Sequence, residues 1–277
     1  MKLNLTTAWD QAVAMIAKNR EVLIVLTGVF FFAPYLAFAL FMPEAGFAPQ
    51  PGAEGQMDMD DAYAALMAFY GEAWWAILLL ALIQAAGTIS VLTVLGDPRR
   101  PTVSDAISRG IAMIPSQFAA QFLTAFAIVT PFLVAAAIGA VAGAVAAGLL
   151  VILAIPIAIY ILVKLSLSSP VIAIERTANP LAALARSWRI TKGNSVRLFA
   201  FYLLLIVAFL VVSTIVTLVV GLVFAMFGES FALIGTAIVS SIINAVFAMF
   251  AYAVLASVHA QLTSTVTPAG VPRSGAD

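Results

Sequence analysis

Pro180-Leu181-Ala182-Ala183-Leu184-Ala185-Arg186-Ser187-Trp188-Arg189-Ile190-Thr191-Lys192-Gly193-Asn194-Ser195-Val196-Arg197 is a basic run set between long apolar tracts. On an α-helix, Leu181, Leu184, Ala185 and Trp188 fall at the i, i+3, i+4, i+7 spacing of one face, while Arg186, Arg189 and Lys192 form a polar stripe. Gly193-Asn194 is expected to end the helix. A short helix that is cationic on one side and carries Trp on the other is built to lie in a membrane interface. The reading therefore predicts that the flanking apolar tracts cross the membrane.

Composition agrees. The chain is 64% hydrophobic and 9% charged, against about 45–50% and about 25% in globular proteins. Thirteen basic and thirteen acidic residues cancel, so no global field attracts nucleic acid, and no nucleic-acid partner is expected. With no Cys and only His259, thiolate sites, Cys nucleophiles and His-based metal sites within one chain are excluded. No cofactor is expected.

Working outward from 180–197, six spans are predicted at about 22–42, 73–95, 118–142, 146–168, 198–227 and 231–261, each near or above the roughly 20 residues that a ~30 Å hydrocarbon core requires. Together they make one membrane domain over 1–262. The first apolar run is long enough to span and lacks a small-residue cleavage site, so it is expected to be retained. Pro34, Pro131 and Pro156 lie inside spans, where kinks are expected. The apolar tract 118–168 turns near Gly143–Gly148. Its Gly139-Ala140-Val141-Ala142-Gly143 run is a weak signal for close helix approach. The fourth span is expected to end at Ser168-Ser169-Pro170. Residues 43–72 read as an external acidic loop with a short helix near its end. Its Asp58, Asp60 and Asp61 read as a solvated helix start, since the Gly and distal Glu of a calcium loop are missing. Trp74 and Trp75 mark an aromatic belt, and the tail 263–277 reads as disordered.

The cations set the orientation. Twelve of the thirteen fall before span one, between spans two and three, between four and five, or in the tail, and the opposite loops have none. The positive-inside rule then puts both termini in the cytoplasm. Amphipathic segments at about 5–21, 102–114 and 180–192 each precede a pair of spans, with Pro115 as the stop of the second. The predicted fold class is all-α, a polytopic membrane helix bundle of six transmembrane helices in three hairpins, each preceded by a cytoplasmic amphipathic helix.

The run Glu175 … Pro180-Leu181-x-Ala183-Leu184-x-Arg186-Ser187-Trp188-x-Ile190-Thr191-Lys192-Gly193, after a span carrying Lys164 and Ser169-Pro170, resembles the bacterial glycerophosphoryl diester phosphodiesterase membrane-domain family. Where that family tends to carry Arg, this chain has Lys164. The resemblance implies a six-span bacterial inner-membrane protein. It does not imply a phosphodiesterase, because in fused members a separate soluble domain performs the hydrolysis.

The candidate ligand or lipid residues are Lys164, Glu175, Arg186, Trp188, Arg189 and Lys192, with membrane lipids and their anionic headgroups as the expected partner. Against specific binding stands simple positive-inside anchoring. Lys164 is the one ionised residue inside a span, where Glu175 is an available partner; Glu175 can alternatively pair with Arg186. Gln84, Gln121 and Asn244, with Gln117, are intramembrane polar candidates, read as interhelical glue or as the lining of a pathway. No Gly-rich phosphate loop, paired carboxylates or Gly-x-Ser-x-Gly elbow occurs, so an enzyme is not expected. Two readings remain: a non-enzymatic accessory, scaffold or lipid-interacting protein, or a transporter or lipid-handling protein with a cavity between hairpins.

Overall fold

Hydrocarbon leaves a spanning backbone only two ways to pair its N–H and C=O groups, the helix and the closed barrel. The chain takes the first: the computed structural model describes residues 3–41, 59–97, 99 and 101–264, which are helical apart from short connections, with no strand among them. Ten α-helices follow in order: α1 Leu5–Thr27, α2 Ala33–Phe41, α3 Met59–Gly96, α4 Val103–Ala112, α5 Ile114–Ala142, α6 Ala144–Leu165, α7 Ser168–Ile174, α8 Pro180–Ile190, α9 Ser195–Ala225 and α10 Glu229–Ser264. Six stretches are long and apolar enough to cross a membrane: Leu5–Phe41, Met67–Gly96, Ile114–Ala142, Ala144–Ile174, Ser195–Ala225 and Ser230–Thr263. The architecture is that of a multi-pass membrane protein.

The first of these stretches shows how local chemistry shapes a span. Asn19 departs from helical geometry at φ −120°, ψ 17°, and its amide donates to the Met15 carbonyl at 2.9 Å. Between α1 and α2, Gly28–Phe32 form a π-helical turn in which the Ala33 N–H reaches back to Gly28. Pro34 follows and has no N–H to donate, so a wider turn ahead of it accommodates the pyrrolidine ring. The Asn244 amide on α10 donates to the Phe31 carbonyl in this turn at 3.3 Å. On α3, Gly87 faces the same turn, where an added methyl would overlap the Cβ of Phe30 and the Phe31 ring. Phe31 and Tyr252 pack with ring centroids 5.5 Å apart, and the Thr88 hydroxyl bonds Tyr252 at 2.8 Å.

Four boundaries differ from expectation. Helix α3 begins at Met59, so the acidic stretch is helical from there on; its Ala-rich sequence has only Gly71 to interrupt it. The rest of that stretch, 43–58, lies outside the described residues. Pro115 starts α5 instead of stopping α4, because a residue lacking an N–H is tolerated where the first turn leaves N–H groups unpaired anyway. The α5–α6 turn, by contrast, falls in the expected region, at Gly143 alone with φ +92°, a conformation that favours glycine. Gly139, the other half of that small-residue pair, abuts Ala147 on α6. The fourth span continues past Ser168 as α7, with Pro170 in its first turn. Helix α10 runs through Ser264, so Thr263 and Ser264 are helical where a disordered tail is expected to begin, and 265–277 lie outside the described residues. Helices α5 and α6 pass through Pro131 and Pro156 without ending.

The best-buried side chains, Leu23, Leu26, Ile89, Leu92, Leu167, Ile172 and Leu198, gather at one end. There the ends of α3, α7 and α10 meet the starts of α5 and α9 and the short helices α4 and α8. The N-terminus joins them: the Leu3 N–H donates to Asn194 Oδ1 at 2.9 Å. Among the described cations, Arg99, Arg109, Arg176, Arg186, Arg189, Lys192 and Arg197 lie at or beside these helix ends. Away from this end the helices are more exposed, although α5 still packs on α6 at Gly139 and Ala147, and α9 on α10 at Phe224 and Gly235. The most apolar stretch of α9 is wholly unburied, and those of α5 and α6 nearly so, whereas over half of that of α3 is buried.

Candidate functional site

The site grows out of a chain break. Helix α6 stops at Leu165 and α7 starts at Ser168, which leaves the Lys164 carbonyl and the Leu167 N–H outside the regular helical ladder. Ser187 on α8 serves both. Its hydroxyl donates to the Lys164 carbonyl at 2.7 Å and accepts from the Leu167 N–H at 3.1 Å. Thr191, one turn on, lies 3.5 Å from the same carbonyl. Asn179 caps α8 by accepting from the Leu181 and Ala182 N–H groups, with Pro180 in the first helical position.

This arrangement sets the inner face of α8. The residues pressed against the bundle are Ala183, Ser187 and Ile190, because small side chains let α8 approach closely enough for Ser187 to reach the break. The stripe of Leu181, Leu184, Ala185 and Trp188 turns outward: Leu181 is 64% exposed and Trp188 41%, Ala185 is exposed and Leu184 half-buried. Arg189 and Lys192 are exposed beside them.

Lys164 does not pair with Glu175. It is 3% exposed, and its Nζ lies 5.5 Å from the ring centroids of both Tyr160 and Trp188, which meet edge to face at 5.7 Å. Ring faces attract a cation electrostatically, by about 0.5–1 kcal/mol at exposed sites and more when desolvated. No carboxylate pairs with Lys164 among the described residues. The physical reason is direction: Glu175 caps α7 a full short helix beyond Lys164 and faces α8 and α10.

There Glu175 binds Arg186, whose Nε lies 3.2 and 3.1 Å from its two oxygens. His259 of α10 completes the group, with Nε2 3.0 Å from Glu175 Oε1. A carboxylate paired to a guanidinium only accepts, so Nε2 is the donor. The group ties together the end of α7, the middle of α8 and the last turns of α10. Sequence reasoning linked Glu175 to Arg186 but not to His259, 84 residues away; the signal available was that the chain's one imidazole sits near a helix end.

Residues 6–262 match the family model described as Domain of unknown function (DUF7847). The chain belongs to that family. The match runs from the first turn of α1 to the last turns of α10, so the DUF7847 unit contains all six apolar helices together with the Lys164 and Glu175 neighbourhoods. No curated protein and no solved structure matches the chain.

Elsewhere in the DUF7847 unit the intramembrane candidates part company. Asn244 is spent on the Phe31 carbonyl. Gln84 is half-buried on α3, one turn before Thr88, whose hydroxyl bonds its backbone carbonyl at 2.7 Å. Gln121 is exposed on the outer face of α5. Gln117 is the buried one: its amide donates to Ser169 at 2.8 Å, and its Oε1 is buried without a partner. Among the described residues no cluster of His, Asp and Glu is suited to hold a metal ion. Chemically, the arrangement offers cations, aromatic faces and an apolar outer stripe.

Proposed function

We propose that this protein is a non-enzymatic, lipid-interacting membrane protein of the bacterial inner membrane, with both termini cytoplasmic, whose cation-bearing end engages anionic headgroups. In this reading three helical hairpins are each led in by an interfacial helix: the start of α1, α4 and α8. A residue of similar backbone geometry stands immediately before the first span of each hairpin, on its own in the first two cases and at the end of the four-residue turn 191–194 in the third. These are Asn19 at φ −120°, ψ 17°, Met113 at φ −101°, ψ 5° and Asn194 at φ −121°, ψ 5°. The resemblance of 164–197 to the glycerophosphoryl diester phosphodiesterase membrane domains fits such a role.

The observation that carries the proposal is the orientation of α8. Its small residues face the bundle, while Leu181 and Trp188 face out beside Arg189 and Lys192. An apolar stripe turned away from the core and flanked by cations suits a surface of acyl chains edged by phosphates. The transport alternative gains no comparable support, since Asn244 bonds a backbone carbonyl and Gln121 faces outward.

The test uses the full chain in bilayers containing a small fraction of labelled anionic or zwitterionic lipid, with energy transfer from the protein reporting the lipid beside it. Each surface cation contributes about 1 kcal/mol toward an anionic leaflet, about fivefold in local lipid. Anionic lipid should be enriched around the wild type and several-fold less around Arg189→Gln/Lys192→Gln. Equal enrichment in both, or none in either, refutes the reading.

A further inference from the structure

A second cluster of cations stands apart from α8. Asp97 closes α3, and its Oδ1 accepts the backbone N–H of Arg99 at 2.9 Å. Its Oδ2 faces Arg109 Nη1 of α4 at 3.3 Å and Arg176 Nη2, just after α7, at 3.7 Å. The carboxylate is 13% exposed, while the two arginine side chains are 42% and 63% exposed. Together with Thr93, Gly96 and Arg99 they line an open cleft of about 470 Å³.

Charge and donors are both in surplus here. Three guanidiniums face one carboxylate, a local excess of two positive charges. Arg109 and Arg176 each approach Asp97 through a single nitrogen, although each guanidinium carries five N–H donors. The carboxylate orients the two arginines and leaves most of their donors unspent.

The backbone supplies an independent observation. Arg176 has φ +57°, alone among the described non-glycine residues in being positive. It follows the C-cap of α7, the position that a left-handed turn normally gives to glycine. Placing Arg there stores backbone strain, a feature that clusters at ligand clamps and switch regions. The strain carries a guanidinium to the mouth of the cleft.

We infer that this cleft binds a phosphate group, with Arg109 and Arg176, held by Asp97, donating to its oxygens. The fork of a guanidinium matches two phosphate oxygens at once, and the cleft leaves room for an ester substituent. The phosphate is that of a lipid headgroup or a free oxyanion. The inference rests on α3, α4 and Arg176, and is independent of the outward stripe of α8.

The experiment measures thermal unfolding of the purified full chain in two arms: in detergent with inorganic phosphate against chloride at equal ionic strength, and in nanodiscs with phosphatidic acid against phosphatidylcholine. Stabilisation in the detergent arm shows that free phosphate suffices; stabilisation in the nanodisc arm alone identifies the lipid. Arg176→Gly removes the guanidinium while relieving the backbone, so it should unfold at or above the wild-type temperature without anion, yet bind about tenfold more weakly, the cost of about one charge-assisted contact. Arg109→Gln should weaken binding similarly, and Lys18→Gln, an exposed cation of α1 outside the cleft, should leave it unchanged in the detergent arm. The inference is overturned if neither probe stabilises the wild type beyond its control, or if Arg176→Gly binds as tightly as the wild type. Loss of binding only in the Arg189→Gln/Lys192→Gln variant would assign the phosphate to α8 and overturn it equally.

Discussion

Ser187→Ala tests whether α8 is part of the scaffold or merely rests on it. Ser187 is fully buried, as is Leu167, and Lys164 is nearly so. Removing one hydroxyl strips the partner from the Lys164 carbonyl and the Leu167 N–H together. Each buried orphan costs about 1–3 kcal/mol. Thr191, at 3.5 Å from the same carbonyl, offsets part of one, and alanine recovers about 0.5 kcal/mol of helix propensity. The net expectation is a loss of about 2–4 kcal/mol, large against a total of about 5–15 kcal/mol. Ser213→Ala is the control: its hydroxyl bonds Leu210 within the same helix and is exposed, so its loss should stay within about 0.5 kcal/mol. Reversible unfolding in mixed micelles measures both. Interhelical side-chain bonds in membranes average only about 0.6 kcal/mol where the backbone is already paired. A Ser187→Ala loss at or below that value would refute the claim that the break depends on α8.

Two further outcomes follow from the same packing. Gly87→Val places branched methyls where even one carbon would overlap Phe30 and Phe31, and should cost about 1–3 kcal/mol by overpacking; Gly71→Val, in open space, should show no such clash in the same unfolding assay. Acidification should destabilise the Asp97 cluster. The Arg99 backbone N–H, followed by the Arg109 side chain, holds the Asp97 carboxyl below its ordinary value. A lowered folded-state value means that the stabilisation is complete above the ordinary aspartate range and lost as pH falls through the lowered one. Unfolding temperature scanned below about pH 5 should therefore fall less steeply in Asp97→Asn than in the wild type, and parallel curves would contradict the assignment.

The sequence made the spans legible because hydropathy over some twenty residues is a sum, insensitive to where each side chain points. The short helices are governed by particular contacts, and there pattern reading reached its limit. Helical spacing identifies Leu181 and Trp188 as one stripe of α8 but does not say which stripe meets protein, since lipid accepts apolar side chains as readily as a core does. The inner face was set by the need of the 166–167 break for Ser187, which is a tertiary fact. Pro115 is ambiguous in sequence because proline both ends one helix and starts another, and one residue separates α4 from α5. For Lys164, charge alone offers Glu175 as one available partner, whereas its neighbours Tyr160 and Trp188 offer ring faces. Glu175 with Arg186 was legible at a separation of eleven residues; His259 at eighty-four was not.

The contrast between a tied base and an exposed far end has a mechanical meaning. At the base, bonds from Leu3 to Asn194, from Ser187 to the α6–α7 break and from His259 to Glu175 fasten segments distant in sequence. At the far end α5, α6 and α9 stand largely uncovered, so acyl chains, not side chains, complete their packing. Changes in bilayer thickness are accommodated by helix tilt at a modest cost per ångström. Such tilt would act first on the paired helices α5–α6 and α9–α10, whose outer faces are uncovered, and least on the cross-linked base. The solvent is thus a structural component of one half of the fold and a bystander to the other.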